Sequence, residues 1–365
     1  MFKKEKIYIA GPECFYDGGF DILNSMKQKA EIHGFGVTLP NNHPLDMENE
    51  DLQKRADSIF ADLAIDMCES TVIIADLEAY RGSEADSGTI YEIGMAYARG
   101  IRCYGYTRDK RLLAWKDQKY TMRDGKVYDE HGKMAPYKDL PFSPTIIGST
   151  KIIEGDFDDC LKMLITDIEE EYKSKAQLGR KEDVAPQLPK THRERPLAYL
   201  SGPERYDENA VAKYSVMKAI CNRHGIDAVA PIDWASGVTK ITTEEPYTVA
   251  ANLLDNYQKQ VRNCDIIIAN LNDYRGYECS NDTGFECGMA FQLGKILYGY
   301  MDDTRPMKKR IPHLGEEYGF RDMTGANVEN FNYPLNLMFS CSMKIFEGKF
   351  EQIIEGIQKD LYKGR

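Results

Sequence analysis

The segment YRGSEADSGTIYEIGMAYARG at 80–100 recurs at 274–294 as YRGYECSNDTGFECGMAFQLG, with about half of the positions identical and no gap. The repetition continues on both sides in the same order. IYIAGPE (7–13) returns as AYLSGPE (198–204), HGFGVTLP (33–40) as HGIDAVAP (224–231), and STVIIADLEAYRG (70–82) as CDIIIANLNDYRG (264–276). GIRCYGYTRD (100–109) is matched by GKILYGYMDD (294–303), and KIIEGDF (151–157) by KIFEGKF (344–350). A period of about 190 residues is too long for a stacked solenoid and means a duplicated domain. Whatever one copy folds into, the chain must build twice. The expected domains are 1–172 and 196–365. Between them, 173–195 is charged, bears prolines and lacks hydrophobic periodicity, which predicts a linker.

Within each copy, short β-branched runs (IYIAG, VIIADL, IRCYGY; AYLSG, DIIIANL, ILYGY) alternate with stretches of helical spacing such as FDILNSMKQKAEIHG. Uninterrupted apolar strands between helices imply a parallel sheet covered on both faces. The predicted fold class is α/β: two tandem doubly wound, Rossmann- or flavodoxin-like domains forming an internal pseudo-dimer. Ligands of such sheets sit at the carboxyl ends of the strands, here the GPE turns and the loops that open with YRG. No GxxxxGK[ST], strand-to-helix GxGxxG, HExxH or GxSxG occurs, which disfavours a nucleoside triphosphatase or an NAD enzyme.

Composition narrows the partners. A net charge of −11 argues against a nucleic-acid polymer, which demands a basic face. No apolar run is long enough to span a bilayer, and MFKKEKIYIAGP lacks a signal-peptide core, so the cytoplasm is the expected location. The nine cysteines form no CxxC pair and read as reduced, mostly buried thiols rather than metal ligands.

Thr89-Ile-Tyr-Glu92 fits a capping box, repeated at Thr283-Gly-Phe-Glu286, with Gly94 and Ala96 letting the helix approach the sheet. The same glutamate could be a nucleophile if a second group orients it and another carboxyl acts as acid. Asp86 lies in the loop before Glu92, Asp62 one element earlier, and Tyr8 on the first strand beside the turn of Gly11 and Pro12.

YIAGP at the amino end, an acid-bearing helix before VIIADL, and RG…DSGT..EIGMA together resemble the nucleoside 2-deoxyribosyltransferase family, which includes 2-deoxynucleoside 5-phosphate N-hydrolases. The resemblance covers the chain once per copy. It implies that Glu92 attacks C1′ of a 2-deoxyribonucleoside and that Tyr8 positions it. It also implies that Asp86 holds the sugar hydroxyls and that Asp62, or Asp66 one turn later, protonates or orients the base. Gly11 and Pro12 would line the substrate. Breaking an N-glycosidic bond develops oxocarbenium character, which a carboxylate stabilises and traps. No metal or organic cofactor is required. The partners implied are a small nucleoside and a nucleobase, in purine or pyrimidine salvage, and a homodimer of the fused pair stays open.

The copies are unequal. The family's P-x-N-L-M asparagine, which reaches into a neighbouring site, is Asn336 in the second copy; Ser143 stands in its place in the first. Asp62 and Asp86 face Asn256 and Ser280, whereas Glu286 and Tyr199 are retained, and Asp255 and Asp282 lie near enough to compensate. One composite site is therefore expected, carried by Tyr8, Asp62, Asp86 and Glu92 and completed by Asn336. A second site would rest on Glu286, Tyr199 and Asp282. Trp115 and Trp234 read as core residues before base platforms, His33 and His224 as helix caps, Arg81 and Arg275 as loop braces. Arg108 and Arg123 are candidates for a phosphate, though no phosphate cradle is evident. The rival functions are hydrolysis of 2-deoxynucleosides or their 5-monophosphates, and a non-catalytic sensor of nucleotide derivatives.

Overall fold

The computed structural model describes residues 4–39, 49–116, 120–129, 134, 137, 139–178 and 193–363. In the first half, β1 (Lys6–Ala10), β2 (Gly36–Thr38), β3 (Val72–Asp76), β4 (Arg102–Thr107) and β7 (Lys151–Glu154) form a parallel sheet in the order β2-β1-β3-β4-β7. A hairpin, β5 (Tyr120–Arg123) and β6 (Lys126–Asp129), stands apart from it. The helices are α1 (Gly19–Ile32), α2 (Leu52–Glu69), α3 (Ser87–Ala98), α4 (Pro144–Ser149) and α5 (Phe157–Leu178). The second half repeats the plan with β8 (Leu197–Ser201), β9 (Asp227–Val229), β10 (Ile266–Asn270), β11 (Ile296–Met301) and β12 (Lys344–Glu347), ordered β9-β8-β10-β11-β12. Its helices are α6 (Ala210–Arg223), α7 (Pro246–Asn263), α8 (Asn281–Gln292), α9 (Met307–Arg310), α10 (Leu337–Ser340) and α11 (Phe350–Leu361). Each order is the flavodoxin-like one, with its switch point between the first and third strands.

The strand sequences dictate the layers. Along β1, Ile7 and Ile9 pack with Leu23, Phe157 and Leu161 of α1 and α5. Tyr8 and Ala10 point the other way, into a core shared with Leu63, Ile90 and Ile93 and with Tyr199, Ile267 and Phe285 of the second half. One face of each sheet therefore carries its own helices, and the other looks across a common core.

That core makes the halves a pseudo-dimer, with reciprocal contacts about a pseudo-twofold axis. A Cβ on Gly94 of α3 would lie 2.1 Å from the carbonyl oxygen of Phe285, and one on Gly288 of α8 would lie 1.9 Å from that of Tyr91. Gly94 thus serves the crossing of α3 with α8, not an approach to the sheet. Beyond the helices, the amide of Ser83 donates to the carbonyl of Arg275 at 3.1 Å, and that of Tyr277 to Arg81 at 3.0 Å. Replacing Gly94 with Ala is expected to cost about 1–3 kcal/mol by overpacking. The denaturation midpoint would report it, with Gly36→Ala, where the added Cβ meets only Lys6 Cγ at 3.5 Å, as a near-neutral control.

Two local expectations are corrected. The N-cap of α3 is Asp86, not Thr89: its Oδ2 accepts from the amide and the hydroxyl of Thr89, both at 2.7 Å. Ser280 caps α8 in the same way, so neither glutamate is a capping-box partner. The reach of 173–195 as a linker also shortens, because α5 continues to Leu178. Lys, Ala, Gln and Leu are good helix formers that need no apolar stripe to extend an established helix. Residues 179–192 lie outside the described residues, and Arg193 is already tied to Asp265 at 3.1 Å. His33 and His224 occupy helix C-cap positions.

Candidate active site

At the switch point of the first half, β1 ends at Gly11 and β3 releases the loop that carries Asp86 to the start of α3. One turn into α3, Glu92 turns back towards β1, where Tyr8 donates to its Oε1 at 2.5 Å. Both groups are buried. Burial pushes the Glu92 carboxyl up to about 8; the Tyr8 hydrogen bond opposes the rise and the nearby Asp86 adds to it. Asp86 spends Oδ2 on capping, and its Oδ1 is buried with no hydrogen-bond partner among the described residues.

Glu92 and Asp86 line a cavity of about 670 Å³ whose walls come from both halves, and Tyr8 supports Glu92 from behind it. The first half supplies Gly11, Cys14, Phe15, Phe20, Ile59, Leu63, Asp86, Gly88, Thr89 and Glu92; the second supplies Gly319, Phe320, 327–331 and 336–338. Asn336 caps α10 by accepting from the amide of Met338 at 2.9 Å and lies across Gly88, where a Cβ would meet its Nδ2 at 2.7 Å. The composite arrangement therefore brings Glu92, Tyr8, Asp86, Gly11 and Asn336 together. Pro12 is buried behind Gly11. Asp62 is buried on α2, and Ile59 and Leu63 of that helix reach the cavity surface while Asp62 does not. Asp66 is fully buried, close enough to Tyr8 to raise its phenol, after burial and Glu92.

Loops and braces fix this geometry. Arg81, held at a φ of 51°, donates to Asp322 Oδ2 at 2.7 Å, Glu278 Oε1 at 3.3 Å and the Asn327 carbonyl at 2.7 Å. Arg275 donates to Ser83 at 3.0 Å and the Leu113 carbonyl at 2.6 Å. Both arginines brace their own loop by gripping the other half. Trp115 packs on Ala114 and Val127, and Trp234 lies under Lys240. Arg108 pairs with Asp156 in solvent, Arg123 covers Tyr128, and none of these four reaches the cavity.

The equivalent position in the second half is filled. Glu286 accepts from Tyr199 at 2.7 Å and Ser201 at 2.5 Å, and Arg205 clamps both its oxygens at 2.7 and 2.6 Å. The guanidinium, buried and stacked 4.9 Å from the Tyr257 ring centre, stands where the first half has Cys14. Asp282 accepts from Thr145 Oγ1 at 2.5 Å and from Tyr206. Asn256, opposite Asp62, binds the backbone at Pro231, Asp233 and Ala235, and Asp255 turns outwards to Lys259. Every acid that could have compensated is engaged elsewhere.

Two site features escaped the sequence reading. Arg205 was visible by aligning GPEC with GPER. Glu329, on an irregular segment of the second half, lines the cavity with its carboxyl pushed up to about 8 by burial, against Arg81, and further by Asp86. Glu278, raised to about 7 by burial despite Arg81, lies behind the wall. Carboxyls with raised pKa values keep protons that the unfolded chain has lost. Their contribution favours the fold below the ordinary carboxylate range and disappears as pH rises through about 7–8. The denaturation midpoint is therefore expected to fall steadily between pH 5 and pH 9.

A model of the nucleoside 2-deoxyribosyltransferase family matches residues 7–138 and, again, 198–338. An uncharacterised protein of Schizosaccharomyces pombe is 28% identical over 117 residues, which cover 32% of this chain and 54% of that protein; the match spans about half of the relative's length. Among solved structures, a 2-desoxiribosyltransferase from Leishmania mexicana is 29% identical, with 44% of this chain and 97% of that chain covered and a TM-score of 0.33. Among the described residues, no helix is long and apolar enough to cross a membrane.

Proposed function

The chain belongs to the nucleoside 2-deoxyribosyltransferase family, and from that premise we propose that it moves 2-deoxyribose between nucleobases through a deoxyribosyl ester on Glu92. The observation that carries the reading is Glu92, held by Tyr8 and lining a cavity walled by both halves. Ionised Glu92 attacks C1′, the C1′–N bond breaks, and its electron pair leaves with the base. The base takes a proton; the family resemblance gives that role to Asp62 on α2, with Asp66 as the other acid of that helix, although neither is among the described residues that line the cavity. A second base then attacks C1′, the C1′–O bond to Glu92 breaks to release the carboxylate, and the incoming base gives its N–H proton to the acid that had lost one. Tyr8 holds one oxygen of the nucleophile, so the other is free to be aimed at the sugar. Asp86 Oδ1 and Asn336 are assigned the sugar hydroxyls. Glu286 and its partners are assigned a structural part.

Transfer is favoured over hydrolysis by the cavity lining. Phe15, Phe20, Ile59, Leu63, Phe320 and Phe331 surround the acids with apolar surface, which suits a flat base and disfavours ordered water. Incubation with deoxyinosine and adenine, followed by chromatography, tests this. Deoxyadenosine is the expected product. Hypoxanthine with free sugar would mean hydrolysis, and unchanged substrates would favour a sensor. Because the nucleophile must be ionised, kcat/KM is expected to climb with pH, to be half-maximal near pH 8 and to level off above it.

A further inference from the structure

Among the described residues, the cavity holds three carboxyl groups, Asp86, Glu92 and Glu329, and no lysine, arginine or histidine lines it. We propose that Glu329, lent by the second half, is a specificity-determining residue that admits an unphosphorylated deoxyriboside and rejects one bearing phosphate on its sugar. The proposal rests on the deoxyribosyl-transfer reading and adds to it the substrate class and the residue that sets it.

Position carries the argument. Glu329 lines the same cavity as Asp86, the acid assigned to the sugar, and Asp86 lies close enough to push the Glu329 carboxyl further up. Neither of its oxygens has a side-chain hydrogen-bond partner among the described residues; the Leu337 amide is directed at the carboxyl, which leaves it an oxygen for a sugar hydroxyl. A phosphate there would bring about −1.5 to −2 charge at pH 7. It would be buried without a cation, beside like charge. Arg81 cannot supply one, because its guanidinium is committed to Asp322, Glu278 and the Asn327 carbonyl. The titratable and charged groups around Glu329 are Asp86, Cys14, Tyr80, Arg81, Glu278 and Cys341. Protonated, Glu329 offers phosphate no positive charge; ionised, it repels it, so rejection sharpens as pH rises.

The test compares deoxyinosine with its 5′- and 3′-monophosphates as competitors in transfer to adenine, at pH 7 and pH 9, in the wild type, Glu329→Gln and Glu329→Asp. The wild type is expected to bind both monophosphates at least tenfold more weakly than the nucleoside, and the gap to widen at pH 9. Glu329→Gln should narrow the pH 9 gap by about tenfold, the scale of one unit of pKa-equivalent interaction, and Glu329→Asp should preserve it. An unmoved ratio in Glu329→Gln would overturn the proposal. If Glu329→Gln does not fold, a wild-type gap that fails to widen from pH 7 to pH 9 would overturn it equally. No transfer from deoxyinosine by the wild type would sink the underlying reading; transfer with an unmoved ratio sinks only the role of Glu329.

Discussion

Glu92→Gln removes deoxyribosyl transfer, with an expected loss in kcat of at least about 1,000-fold, the scale on which deleting a nucleophile acts. The amide keeps the shape of the side chain and can still accept from Tyr8, so the fold and the cavity survive. What is lost is the oxygen pair able to bond C1′. Because buried Glu92 has a raised pKa, replacing it with a neutral group should not destabilise the protein at neutral pH. Rate and stability are thereby separated: a folded, substrate-binding, inert enzyme is the expected result, read by chromatography together with a denaturation midpoint. The mirror-image change behaves in the opposite way. Glu286→Gln should leave the transfer rate of folded molecules unchanged while lowering stability, since it removes a charge that Arg205 requires.

The second large effect belongs to that clamp. Arg205→Ala leaves the Glu286 carboxylate buried in the shared core with only Tyr199 and Ser201 to solvate it. Breaking one partner of a buried pair costs about 3–5 kcal/mol. The stacking over Tyr257 is lost as well. The double variant Arg205→Ala, Glu286→Ala should recover part of that loss, because it removes the stranded charge together with its partner. Denaturant titration of Arg205→Ala, Glu286→Ala and the double variant measures the coupling directly. A single-variant cost below about 1 kcal/mol, the range of exposed pairs, would mean that the Arg205–Glu286 pair is not structural.

How much of this was readable beforehand depends on whether the information lies along the chain or across the pseudo-twofold. The duplication, the parallel sheets and the strand-end loops were legible, because apolar runs and helical spacing are local signals. The inequality of the copies was legible at Asp86 and Ser280, and would have been sharper had Cys14 been set against Arg205. The helix caps were misread because Asp86-x-x-Thr89 and Thr89-x-x-Glu92 both fit a capping pattern, and only geometry shows which side chain reaches the free amides. Gly94 was assigned to the wrong neighbour because a small residue announces a close approach without naming what approaches. Glu329 was illegible for a deeper reason. It sits on a segment with no periodicity, and it meets Asp86 only because the two halves pack face to face.

The central claim is one composite site per chain with Glu92 as its nucleophile. The most direct measurement is intact-protein mass spectrometry after acid quenching during turnover of a 2′-deoxynucleoside, followed by peptide mapping. The account predicts one deoxyribosyl group per chain, on the peptide containing Glu92. A sugar on the peptide containing Glu286, or two sugars per chain, would contradict it.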